Sequence, residues 1–408
     1  MSSTFNPRLM IFFVLLIGVL APIPVDEYAP SMPSMVGYFT SSVSAMQLSI
    51  TVFLFALGIG QVVMGPLSDG YGRRIVLNVG IALYLVGTVV CMLSDSVGLL
   101  MVGRAVQGFG IASCAMTATT LIGDCFEGDD IGRVTSYFSL TYGLVPIVSP
   151  VVGGHIQELW GWQANFGFMF VFAAIAFALI VAKLPETHPA AERTQLGPMT
   201  ILKNYAKVLG EPRYMTAVAG VTVSWSMIIT FSVLGPFLLQ DRLGLSPHVY
   251  GWSALFVGLG FFLGNLLNTA LLKHHLPAAI LKLGLGISLV ASLVAVGLFA
   301  AGLVDLITVM APTFAIMIGI GLTFPNYYGI AVGVFTDKLT GVANSLIGAL
   351  VLFGTVIYTG ALTVFQAHAP STLAGVFLVL TLLSIGVYVV TSRLAARNHA
   401  EQTPSGTS

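Results

Sequence analysis

Three ionisable side chains, Asp26, Glu27 and Arg104, stand inside long apolar stretches of this 408-residue chain. A charge at the centre of a membrane-spanning helix costs about 2.5–3.5 kcal/mol even on a lenient insertion scale. Residues placed there at that cost are candidates for function. A carboxyl beside a guanidinium keeps its negative charge, and the same carboxyl takes up a proton more readily once the pair opens. The chemistry that suits two acids and one arginine is therefore proton carriage. The C-terminal half carries no acid or base in mid-segment, and all seven histidines fall in loops or near segment ends. A proton-linked step must then depend on the N-terminal half.

The elements that position these residues follow from composition. The chain is 56% hydrophobic and 8% charged, against about 25% charged in ordinary soluble domains. Most of its exterior must face lipid. A net charge of zero gives no hint of nucleic-acid binding. Twelve segments supply the ~20 apolar residues a bilayer span requires: about 9–29, 45–66, 75–94, 98–122, 134–156, 163–183, 214–239, 248–272, 277–301, 305–334, 341–364 and 371–394. One long polar stretch, Pro185 to Arg213, divides them six and six. The expected organisation is an N-terminal six-helix half (1–184), a central loop (185–213), a C-terminal six-helix half (214–394) and a polar tail (395–408). Of the 16 Lys and Arg, only Arg104 and Arg242 fall away from one side. That side is expected to be cytoplasmic, with both termini there. The apolar run after Arg8 is expected to be a retained first helix. Cys91, Cys114 and Cys125 are expected to be packing residues, without a disulfide framework or a metal site.

The ruler of 1.5 Å per helical residue puts Asp26 and Arg104 at comparable depth. Asp26 lies ~25 Å along an outward-running first segment, and Arg104 ~9 Å into an inward-running fourth. An Asp26–Arg104 pair would lower the desolvation cost of both. Depth alone equally allows Asp26 and Glu27 to sit solvated at the outer interface. Glu27 is ~100° round the helix from Asp26, so the two acids face different partners unless the helix is broken. Pro22, Pro24, Pro30 and Pro33 are expected to break or bend it.

Several motifs are shared with a known family. Gly65-Pro66-Leu67-Ser68-Asp69-Gly70-Tyr71-Gly72-Arg73-Arg74 reads as a tight polar turn between the second and third segments. It resembles the signature loop of the major facilitator superfamily, with Gly70 where that family carries a basic residue. Asp26-Glu27-Tyr28-Ala29-Pro30-Ser31-Met32-Pro33 resembles the first helix of the drug:proton antiporter-1 family, especially its bicyclomycin-resistance-like branch. Glu27 replaces an apolar residue there. Arg104-Ala105-Val106-Gln107-Gly108-Phe109-Gly110 is similar to that family's fourth-helix motif. Gly143, Pro146, Pro150, Gly153 and Gly154 resemble the fifth-helix motif of its antiporters, with Ser149 in place of glycine. Trp160-Gly161-Trp162 resembles the entry to the sixth helix; Trp160 and Trp162 are also explained as interfacial anchors. Leu184-Pro185-Glu186-Thr187 resembles the exit from that helix.

The resemblance implies the major facilitator fold: an all-α integral membrane protein of 12 transmembrane helices in two six-helix halves. It implies proton coupling at Asp26 or Glu27 with Arg104. It implies a gating loop at Gly65, Asp69, Gly72, Arg73 and Arg74, with Asp69 meeting the start of the eleventh segment near Gly341. Tyr28, Gln107, Tyr142, Trp225, Asn326 and Tyr327 are candidate substrate contacts. The expected function is proton-coupled export of small lipophilic or amphiphilic compounds by alternating access. No cofactor is needed beyond the proton gradient. The expected setting is the bacterial inner membrane, with a monomeric chain whose partners are substrate, protons and the bilayer. The alternatives are a dedicated metabolite or siderophore exporter of the same fold, and a proton-symporting importer. A membrane enzyme is disfavoured because no nucleophile–base or metal constellation is present.

Overall fold

The structure is a computed structural model that describes residues 6–188, 198–335, 339–364 and 370–402. The other residues, including most of the stretch after His188 and the end of the tail, lie outside the described residues. Among the described residues there are helices and no strand. Twelve helical spans are long and apolar enough to cross a membrane, as the segment count predicts.

The first span, Pro7–Tyr38, is not one helix. It consists of α1 (Pro7–Leu20), α2 (Ile23–Asp26), a single 3-10 turn (Ala29–Ser31) and α3 (Met32–Tyr38). Prolines at 22, 24, 30 and 33 remove backbone donors at four places within twelve residues, which prevents a continuous ladder. The break also lengthens the span beyond the expected 9–29, so Asp26 and Glu27 lie well short of its far end.

The remaining elements are α4 (Val43–Tyr71), α5 (Arg73–Met92), α6 (Val97–Cys125), α7 (Asp129–Trp160), α8 (Trp162–Lys183), α9 (Pro198–Leu209), α10 (Pro212–Pro236) with a π-helical extension (Phe237–Arg242), α11 (Pro247–Leu271), α12 (Pro277–Ala300), α13 (Leu306–Val332), α14 (Thr340–Val364) and α15 (Pro370–Gln402). Several begin with side-chain caps. Ser42 accepts from the backbone of Ala45, Ser96 from Leu99, and Asp305 forms a reciprocal capping box with Thr308, each replacing a partner that the first turn lacks.

Two expectations change here. The 65–74 stretch is not an open turn: α4 continues through Tyr71, and only Gly72 separates it from α5. Gly72 has φ 103°, a backbone conformation that a side chain would strain. The polar stretch 185–213, read as a loop, contains the helix α9. Its short Met-Thr-Ile-Leu-Lys-Asn-Tyr-Ala-Lys-Val-Leu pattern is amphipathic and falls short of the apolar length of a membrane span.

The chain forms two compact units. Unit 1 takes in residues up to Gly197 together with Phe231–Gly258 and Val356–Ala369. Its core is built on fully buried Met10, Phe13 and Ile17 of α1, Phe53 of α4, Ile111 of α6 and Phe166 of α8. Unit 2 comprises Pro198–Thr230, Leu259–Thr355 and Pro370–Ser408. Its core gathers Val208, Tyr214, Leu281, Tyr327, Ala331 and Ile347.

Candidate functional site

Among the described residues, Arg104 heads the large side chains that are fully buried. It projects from α6 into the interior of unit 1, where the broken first span supplies an acceptor. Its Nη1 donates to the carbonyl of Pro24 at 2.9 Å and to Oε1 of Gln107 at 2.7 Å. The guanidinium lies over the rings of Tyr28 and Phe53, 4.6 and 4.3 Å from their centroids. Aromatic faces and a freed carbonyl thus replace part of the water an arginine loses on burial. Gln107 passes the network on to Thr88 at 2.9 Å, and Thr88 is bonded to the carbonyl of Tyr84 at 2.7 Å. The Tyr28 hydroxyl is bonded to Ser49 at 2.8 Å.

Nε and Nη2 of Arg104 have no hydrogen-bond partner among the described residues. Nor does either carboxyl oxygen of Glu27, which is fully buried in the same unit. Tyr84 lies within electrostatic reach of both groups. One buried acid and one buried base therefore stand in the same unit with unused hydrogen-bonding capacity on each. The reading of Glu27 as an acid solvated at the interface does not hold, because its side chain has no solvent contact.

Asp26 points elsewhere. Its Oδ1 accepts from the hydroxyl of Ser232 at 3.2 Å, and Tyr142 and Tyr250 lie within its electrostatic reach. The expected Asp26–Arg104 ion pair is not formed. The cause is local: the broken turn aims the carbonyl of Pro24 at Arg104, and one helical step separates the directions of Asp26 and Glu27.

The α7 motif sets the position of this turn. Gly153 lies so close to the first span that a Cβ there would collide with the carbonyl of Glu27. Asn165 of α8 donates to the carbonyl of Gly153 at 3.1 Å and to Ser31 at 2.6 Å, fixing the 3-10 turn against α7. On the other face of α7, Gly154 abuts the backbone of Pro247 and His248, and Gly251 of α11 abuts Pro150. Pro146 and Pro150 lie inside α7, and Gly143 has open space around it. Further contacts join residues of unit 1. Gln240, in the π-helical turn, donates to the carbonyl of Pro30 at 3.0 Å, and Thr51 is bonded to Thr359 at 2.9 Å.

The 65–74 stretch builds a separate charged cluster. Arg73 pairs with Asp69 and, at 3.1 Å, with Asp124. The backbone N–H groups of Arg73 and Arg74 donate to the two carboxyl oxygens of Glu186 at 2.9 and 3.2 Å. A carboxylate thus sits on the positive end of α5, a favourable place for it. Thr187 adds a bond to Asp124 at 3.2 Å, and Arg74 reaches the carbonyl of Val181. Gly65 packs against Met116 of α6. The resemblance pointed to Asp69; the role of Glu186 as a cap for α5 had no signal in the sequence beyond its motif.

The other candidates are dispersed. Tyr142 of α7 packs beside Phe138. Trp225 of α10 lies against Phe324, with an indole N–H that has no partner among the described residues. Asn326 of α13 donates to Asn268 at 2.7 Å, and the Tyr327 hydroxyl to the carbonyl of Ser384 at 2.9 Å, so both serve helix-to-helix bonding inside unit 2. Trp160 is 70% exposed, as an interfacial anchor would be, whereas Trp162 is 4% exposed. Trp162 packs on Tyr38, Phe39 and Phe166 and is a core residue. Thr88, Ser49, Phe53, Tyr84 and Ser232 complete the site, and none stood out in the sequence. A lone Ser, Thr or aromatic residue in an apolar helix looks the same wherever it points.

Residues 9–359 match the Major Facilitator Superfamily. The "Multidrug resistance protein D" of Escherichia coli is 26% identical over 405 residues, covering 96% of this chain and 97% of that protein. A "Bicyclomycin resistance protein homolog" of Haemophilus influenzae is 25% identical over 342 residues, covering 83% and 85%. An "Uncharacterized MFS-type transporter" of Bacillus subtilis is 27% identical over 364 residues, covering 87% and 89%. Among solved structures, that of a D-xylose–proton symporter superposes with a TM-score of 0.75 at 13% identity, covering 93% of this chain and 97% of that one. A peptide transporter superposes with a TM-score of 0.74 at 14% identity, covering 97% and 96%. Likeness at that level of identity concerns the fold alone.

Proposed function

The chain belongs to the Major Facilitator Superfamily and is a multi-pass membrane transporter, and from that premise we propose that it is a proton-coupled exporter of small amphiphilic compounds, with Glu27 as the acid that carries the proton. The observation that carries this reading is the fully buried, unpartnered carboxyl of Glu27 in the same unit as a buried arginine with two unpartnered nitrogens. An unpaired charge is among the most costly things to bury. With a proton on Glu27 the charge is gone, and Arg104 rests on Pro24, Gln107 and two aromatic rings. Without the proton, the carboxylate is drawn to the free edge of the guanidinium. That movement pulls on residues 22–31, the broken turn that Gly153 and Asn165 hold against α7. Proton uptake and release at one carboxyl would thereby bias the packing of the first span, which is what alternating access requires.

Export is supported by the α7 motif, shared in resemblance with antiporters, and by relatives named for multidrug and bicyclomycin resistance. The substrate class is correspondingly drug-like. The energy source is the proton gradient, and the setting is the bacterial inner membrane with both termini cytoplasmic, from the one-sided distribution of basic residues.

The test uses protein reconstituted in vesicles with an imposed pH gradient. Glu27→Gln is expected to abolish gradient-driven transport while substrate exchange without a gradient persists. Asp26→Asn, which keeps an acceptor for Ser232, is expected to retain a large part of the gradient-driven rate. Full gradient-driven transport by Glu27→Gln would remove that residue from the mechanism; loss confined to Asp26→Asn would move the proton to the other acid.

A further inference from the structure

Unit 2 carries an apolar groove of about 500 Å³ between α10 and α15. One wall is formed by Thr216 and Ala219, the other by Val379, Leu383, Gly386 and Val390. From Val379 to Val390 the groove follows α15 for eleven residues, or ~16 Å. That is about half of a ~30 Å hydrocarbon core, the depth of one leaflet. The groove ends where the basic residues begin. Arg213 lies three residues before Thr216, and Arg393 three residues after Val390. The amphipathic helix α9 joins α10 at the same level. It is held to unit 2 by Val208 and Tyr205, and it leaves Met199, Leu202 and Leu209 exposed. Lys203 and Lys207 occupy the adjoining exposed stripe. The acid nearest this end in sequence is Glu211, whose carboxyl accepts from the backbone N–H of Arg213.

We propose that this groove is a binding site for an anionic phospholipid. One acyl chain lies along α15, and the phosphate is met by Arg213 and Arg393, with Lys203 and Lys207 beside it. Two observations converge on this occupant. The groove has the length of a leaflet and an apolar lining, which suits a hydrocarbon chain. Its one charged end is basic, which suits an anionic headgroup rather than a zwitterionic one. Unit 1 offers the contrast. Its own apolar groove, about 310 Å³ around Met64, Tyr71, Ile75 and Phe109, ends near Arg73 and Arg74. Those arginines are already engaged by Asp69, Asp124 and the carbonyl of Val181. Among the described residues, the charge of Arg73 is thus already paired by two carboxylates.

Gly386 makes the site testable, because a Cβ added at this position meets no protein atom within 4 Å. Gly386→Leu therefore fills the groove without straining the helix, and leucine is the better helix former. The full-length protein is incorporated in vesicles of equal parts phosphatidylglycerol and phosphatidylcholine, and lipid retained on extraction is read by native mass spectrometry. The wild type is expected to retain phosphatidylglycerol in preference. The double variant Arg213→Gln/Arg393→Gln is expected to lower that retention about twenty-five-fold, roughly fivefold per arginine. Gly386→Leu is expected to lower retention of this lipid with both arginines present. Equal retention of the two lipids by the wild type, or phosphatidylglycerol retention unchanged in either variant, overturns the proposal. Retention of neither lipid, with a dimer that Gly386→Leu dissociates, overturns it in favour of a second copy of the chain. Lipid retention is read without transport, so it stands or falls independently of the proton-coupling reading.

Discussion

The two units bury different kinds of polarity. In unit 1 the buried polar set includes Glu27, Arg73 and Arg104. In unit 2, among the described residues, the buried polar side chains are serines, threonines and asparagines such as Ser224, Asn268, Thr323, Asn326 and Thr381. The helix pairs that carry them are built alike. In α5–α6, Gly80 and Gly110 bring the backbones into contact, and in α12–α13 Gly284 and Gly319 do the same. On that common frame α6 presents Arg104 and Gln107, whereas α13 presents Thr323 and Asn326. The lesson concerns what each interior can do. A neutral hydrogen bond such as Asn326 to Asn268 is nearly indifferent to pH and holds helices together. On the proposed reading, a buried acid and base whose capacity is not used up would have two arrangements of different charge, between which a proton would select. On the readings proposed above, one unit would switch, and the other would hold shape and, through its outer groove, meet lipid.

The widest gap between the units should appear at Arg104. Arg104→Gln removes a charged hydrogen bond to Pro24 and two cation–π contacts, and on the proposed reading it removes the base toward which Glu27 would move. The expected result is loss of gradient-driven transport in vesicles together with ~2–3 kcal/mol of stability, read by thermal unfolding in detergent. Transport by this variant at the wild-type rate would erase the distinction between the two interiors.

A smaller effect is expected at Gly153. The added methyl of Gly153→Ala must displace the backbone of Glu27, at ~1–3 kcal/mol. Because that backbone carries the proposed proton site, the change should also alter the pH profile of transport. A loss of stability with an unchanged pH profile would confine α7 to packing.

The smallest effect belongs to unit 2. Asn326→Ala leaves Asn268 unsatisfied and should cost about 1–2 kcal/mol, most of it regained when Asn268→Ala is added. Proton coupling, measured as the dependence of transport on an imposed gradient, should survive in both. Loss of coupling in the single variant would show that the neutral interior takes part in switching.

Much of this was legible along the chain. The twelve spans followed from runs of apolar residues, and the basic side from the placement of Lys and Arg. The family resemblance, and with it the importance of Arg104 and the α7 glycines, rested on short motifs. Less legible were the helix α9, too short and too polar to read as a span, and the core position of Trp162. An aromatic residue at a span end reads as an interfacial anchor unless its neighbours from other helices are known. The continuous helix through Tyr71 was also missed, because Gly70 and Gly72 look alike in sequence and only Gly72 adopts a positive φ.

By itself, the sequence determined what must leave water. Twenty apolar residues in succession have one inexpensive environment, and that constraint acts locally along the chain. The tertiary structure alone decided which of two adjacent acids is enclosed and which faces Ser232, because a single residue of helix turns a side chain by ~100° and the neighbours come from distant segments. It likewise decided that the carbonyl of Pro24 meets Arg104, that Glu186 caps α5, and that α10 and α15 leave a groove one leaflet deep. These are contacts between residues tens to hundreds of positions apart, and a local pattern of residue types carries no record of them.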